Sequence, residues 1–102
     1  MTADSGNSLA PTFFSRCLYN GEGFVKNHVL SAHYAKLAAI QKDPVGQYLY
    51  ALLLREGIGI EENPSLVAEH LKLSADQGYA PAQNNYAACL IEGYGVEQNR
   101  DL

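Results

Sequence analysis

Positive charge is scarce in this sequence. Its 102 residues include seven Lys and Arg against eleven Asp and Glu, for a formal net charge of −4. A chain so poor in cations lacks the footprint that neutralises phosphates, which argues against nucleic acid as a partner. Long apolar runs are missing as well. None approaches the ~18 residues needed to span a bilayer, and the opening MTADSGNSLAPTFF has an acid where a secretory signal carries a base. No membrane insertion is expected, and the reading is a soluble, cytoplasmic protein. The length excludes a multidomain enzyme. One compact unit of this size buries roughly 60–65% of the surface its unfolded chain exposes, enough for one modest core.

What the sequence has in quantity is self-similarity, which determines a fold where it occurs. The pairs Gly21/Gly23, Gly57/Gly59 and Gly93/Gly95 recur every 36 residues, as do Asn27, Asn63 and Asn99, and Leu18, Leu54 and Leu90. Leu30, Leu66 and Leu102 share the period, and Ala32/Ala68, Lys36/Lys72, Leu37/Leu73, Tyr50/Tyr86 and Glu56/Glu92 extend the match. The expected organisation is a tail over 1–8 and a repeat domain over 9–102. Its units run about 9–44, 45–80 and 81–102, the last incomplete.

Within a unit the period is helical. Gly46, Tyr50, Leu53 and Leu54 form one stripe, matched by Ala10, Phe14, Cys17 and Leu18 before it and by Ala82, Tyr86, Cys89 and Leu90 after it. This helix A ends at Gly21, Gly57 or Gly93, where a residue without Cβ takes the left-handed conformation that closes a helix. Asn63-Pro64 then joins an N-cap to the residue best suited to the first helical position. Helix B is predicted over about 64–77, with Ala68, Leu71 and Ala75 on its inner face and Leu66 and Leu73 beside them. Ala32, Ala35 and Ala39, flanked by Leu30, Tyr34 and Leu37, repeat the pattern in the first unit. Small residues allow close helix approach and bulky neighbours fill the grooves. The fold class is all-α: a solenoid of antiparallel helix hairpins.

The segments GIGIEENP, LKLSADQGYAPAQ and NNYAACLIEGYGVEQN resemble the Sel-1-like repeat, a relative of the tetratricopeptide repeat. A tetratricopeptide repeat proper favours a period of about 34 residues and does not need the paired loop glycines. The resemblance implies an adaptor that holds protein partners along a solenoid surface. Two stretches depart from it: Ala10-Pro11 stands where the third unit has Ala82-Gln83, and Lys42-Asp43-Pro44 where the second has Gly78-Tyr79-Ala80. The first unit is therefore expected to be a divergent cap. The third supplies helix A, its loop and Asn99, but no helix B. This raises the expectation of a fragment of a longer array, a truncated product, or an oligomer that covers the open end.

The residue types that carry chemistry elsewhere have structural roles in this pattern. Cys17 and Cys89 hold one repeat position two units apart; with stacked helices roughly 10 Å apart, they would be about 20 Å apart, against about 7 Å for a bridge. Both are expected as buried small apolar residues. The resemblance implies disulfides within each unit for secreted members, and none pairs that way here, which favours a reducing compartment. His28, His33 and His70 include no i, i+4 pair for a metal. The loops GEGFVK, GIGIEE and GYGVEQ lack both the third glycine of a dinucleotide fingerprint and the Gly-Lys-Ser/Thr of a P-loop, and two continue into acid. Ser15 and Ser74 stand where the repeat has alanine and are read as packing residues. No cofactor and no enzymatic activity are expected.

The positions of helix A that face away from the core are the candidates for binding. Tyr48, Leu52 and Arg55 follow Thr12, Arg16 and Tyr19 and precede Asn84, Ala88 and Ile91. In related solenoids helix A lines the concave surface, and a strip mixing Tyr, Arg and Asn offers rigid anchors and multiple donors. The partner-binding residues expected are Arg16, Tyr19, Tyr48, Leu52, Arg55, Asn84 and Asn85, with a protein or peptide as partner. The alternatives are half-buried packing roles for Tyr19 and Tyr48, and a structural or self-associating end piece with no binding site of its own.

Overall fold

The computed structural model describes residues 9–21 and 27–99. The expected tail over 1–8, Gly23, Leu102 and the side chain of Ala10 lie outside the described residues. The described chain forms helices α1 (Leu9–Asn20), α2 (His28–Ile40), α3 (Pro44–Glu56), α4 (Pro64–Asp76) and α5 (Ala80–Glu92), and has no strand among the described residues. Each helix packs against the next in the chain, and α1 meets α3 only lightly. The stack is elongated, 45 × 27 × 17 Å.

Local signals set the helix ends. Asn27 and Asn63 accept from the Leu30 and Leu66 amides at 3.0 and 3.2 Å, so α2 and α4 begin where the period places helix B. Gly57 (φ 68°) and Gly93 (φ 74°) close α3 and α5 in the left-handed conformation, as expected. The second glycine of each loop has a different task. A Cβ on Gly59 would run into the His28 carbonyl, and one on Gly95 into the Pro64 carbonyl, because each loop lies on the start of the preceding helix B. In the divergent turn, Lys42 (φ 67°) takes the left-handed place of Gly78, while Asp43 caps α3 and accepts a hydrogen bond from Thr12.

The core is contiguous from Ala32, Ala35 and Ala39 through Tyr50, Ala51, Leu53 and Leu54 to Val67, Leu71, Ala82 and Cys89. Gly46 allows a close helix approach: a Cβ there would overlap that of Ala38, so α3 lies directly on α2. Cys17 and Cys89 are free and buried, as expected of small apolar residues. Ser15 and Ser74 are buried too, but they do more than pack. Ser15 Oγ donates to the Ser31 carbonyl (2.8 Å) and Ser31 Oγ to the Ser15 carbonyl (2.7 Å), clasping α1 to α2. Ser74 Oγ donates to the Pro44 carbonyl (2.7 Å) across the second hairpin.

Several expected positions differ. Phe14 of the first stripe is 38% exposed, and Leu30 and Leu73 are 40% and 42% exposed. Tyr86 and Leu90 are half-buried, whereas their repeat counterparts Tyr50 and Leu54 are 4% and 1% exposed. Each partly uncovered residue faces an end or outer side of the stack, where a repeat pattern alone does not reveal whether a neighbour lies there.

Candidate interaction surface

Helix A positions facing away from the core converge on a groove between α1 and α3. Its volume is about 250 Å³, and it brings together Arg16, Tyr19 and Leu52 of the expected strip. Arg16 is exposed, and Tyr19 stacks on His28 with ring centroids 5.2 Å apart. Leu49 and Leu53 form much of the apolar wall, while Ile58 and Glu56 close the end beside the loop. Sequence reasoning missed these four. A usable signal existed for Leu49, which stands where α5 has the polar Asn85. Ile58 had no such signal, because only the glycines on either side of it recur with the period.

The other expected residues do not line this groove. Tyr48 packs edge-on to Tyr79 with centroids 5.3 Å apart and is half-buried. Arg55 lies with its guanidinium 4.9 Å from the Tyr94 ring centroid and 3.5 Å from Glu92. The Tyr94 hydroxyl donates to Glu62 at 2.5 Å. Burial, together with this carboxylate acceptor, pushes the Tyr94 phenol up to about 12, against the opposing pull of Arg55. These contacts tie the second repeat to the third. Asn84 is exposed and Asn85 half-buried on α5. Thr12, read as an outward position, is instead buried at 6% exposure because Asp43 accepts its hydroxyl.

Groups suited to catalysis are engaged elsewhere or apart. The hydroxyls of Ser15 and Ser74 are held by backbone carbonyls. Burial pushes the Cys89 thiol up, away from the thiolate a nucleophile needs. His70 packs edge-on to Tyr50 at 5.0 Å, and its Nδ1 is buried without a hydrogen-bond partner. Among the described residues, no group of three or more His, Cys, Asp or Glu is placed to hold a metal ion. No helix among them is long and apolar enough to cross a membrane.

Known proteins share this architecture. The solved structure of c5321, a protective antigen present in uropathogenic Escherichia coli strains and displaying an SLR fold, is similar at 25% identity and a TM-score of 0.88. The likeness covers 95% of this chain and 21% of the antigen. A Sel1 repeat protein from Oxalobacter formigenes is similar at 26% identity and a TM-score of 0.83, over 96% of this chain and 74% of that one. No curated protein matches the chain. The family model for the Sel1 repeat matches residues 8–43, 44–79 and 80–102. With a family match across nearly its whole length and a helical solenoid to accompany it, the chain belongs to the Sel1 repeat family.

Proposed function

We propose that this chain is a non-catalytic interaction module whose concave helix A surface receives a protein or peptide. Sel1 repeat proteins are generally protein-interaction scaffolds. The observation that carries the reading is the largely apolar α1–α3 groove, with Arg16, Tyr19 and Leu52 on its walls. Tyr and Arg beside an apolar recess are the residue types that dominate interface energies. Asn84 and Asn85 extend the strip, while Tyr48 and Arg55 hold successive repeats in the orientation that shapes it. The two free cysteines suit a reducing compartment such as the cytoplasm. Affinity capture compares the wild-type chain with Arg16→Glu/Tyr19→Ala and with Val29→Asp, an exposed control outside the groove. A partner lost only with the double variant supports the reading; equal recovery by all three removes this surface.

Self-association through α5 is a second reading, favoured by the half-buried Tyr86 and Leu90. Sedimentation of the wild type and Leu90→Asp distinguishes it: a concentration-dependent dimer abolished by the substitution supports it, and a wild-type monomer at high concentration removes it.

A further inference from the structure

One step of the solenoid is closed by the chain's own side chains, and among the described residues the step before it has no such closure. Between α3 and α5, the Arg55 guanidinium sits on the Tyr94 ring and beside the Glu92 carboxylate. One 36-residue period earlier, the positions of Arg55, Glu92 and Tyr94 are held by Tyr19, Glu56 and Ile58, which all line the α1–α3 groove. The acid is retained and the cation is replaced by tyrosine. Among the described residues, the Glu56 side chain has neither an ion pair nor a hydrogen bond, and the residue is exposed. Leu49 and Leu52 stand where the next step has Asn85 and Ala88, so the open step also has the more apolar wall.

We infer that this groove takes an arginine side chain of a peptide partner, with a neighbouring apolar residue of the peptide against Leu49 and Leu52. The partner thereby supplies to Glu56 and Tyr19 the guanidinium that Arg55 supplies internally one repeat later. This rests on the interaction reading above and narrows it to a basic and apolar segment. A planar guanidinium can pair with a carboxylate while lying on an aromatic face, which an ammonium does less well. The net charge of −4 steers a basic segment toward the chain. Arg16 lines the same groove, and its charge there repels a second base. The segment therefore carries a single arginine beside its apolar anchor, not a basic run.

Random heptapeptides displayed on phage and selected on the folded 102-residue chain, followed by anisotropy titration of the recovered peptides, test the assignment. Enrichment of one arginine within two positions of Leu, Ile or Phe is expected. Replacing that arginine by glutamine, or Glu56→Gln in the chain, should each weaken binding about five-fold, the effect of losing one charged contact at a surface site. Combining the two changes should cost little more than either alone. Glu61→Gln, an exposed acid outside the groove, should change affinity less than two-fold. Peptides that lose affinity with Arg16→Glu/Tyr19→Ala but lack a base and ignore Glu56→Gln overturn the arginine assignment and leave the interaction reading standing. Peptides indifferent to both variants, or a selection that recovers none, overturn both.

Discussion

Lys42 and Gly78 occupy the same position after helix B in successive repeats, with φ of 67° and 88°. A side chain in the left-handed region costs about 1–2 kcal/mol, so the lysine is strained where the glycine is not. Lys42→Gly is expected to stabilise the chain by about 1 kcal/mol after the entropy of the added glycine is offset. Gly78→Ala should cost about the same by backbone conformation alone, since no atom lies within 4 Å of the added Cβ. Urea midpoints of the two variants check both signs. His70 gives a pH dependence. Burial lowers its pKa, with Glu69 opposing, so the unfolded chain binds more protons just below the ordinary histidine value. Its contribution to stability is therefore present above about pH 6.5, falls as pH drops toward the folded-state pKa, and levels off below it. Urea unfolding at about pH 7.5 and pH 5.5 should show this loss, and His70→Tyr, which installs the residue found at Tyr34, should remove the histidine part of it.

Each loop shows two glycines with separable costs. Gly57 needs only the left-handed conformation; an added Cβ would meet nothing nearer than the Ile60 carbonyl at 3.8 Å. Gly59 has the same sign of φ and also lies against the His28 backbone. Gly57→Ala should therefore cost about 1 kcal/mol, and Gly59→Ala about 3 kcal/mol or more, because conformational strain and overpacking add. Thermal or urea unfolding of the two variants measures the difference. Equal costs would mean that the loop can lift off α2 without penalty. The same element shows why the period was readable while the second glycine's task was not: spacing marks where a loop turns, whereas close approach depends on where the preceding helix B begins in space.

At the scale of the whole molecule, each helix depends on its neighbours in the stack, so stability is a sum of local interfaces. Helices α2, α3 and α4 have partners on both sides, whereas Tyr86 and Leu90 of α5 remain half-buried. Hydrogen exchange is expected to be slowest in α2, α3 and α4 and faster in α5. Arg55→Ala should speed exchange in α5 selectively, because it removes the contacts to Glu92 and Tyr94 that join the last two repeats. The all-α hairpin stack was readable from residues because caps, closing glycines and helical stripes act within a few positions of the chain. Arg16, Tyr19 and Leu52 were readable as a strip for the same reason. Tertiary structure alone decided that they share a groove with Leu49, Glu56 and Ile58, that Thr12 is turned in by Asp43, and that Arg55 is held by Tyr94. Such outcomes depend on how one helix is offset against another, a relation between distant segments that no local pattern carries.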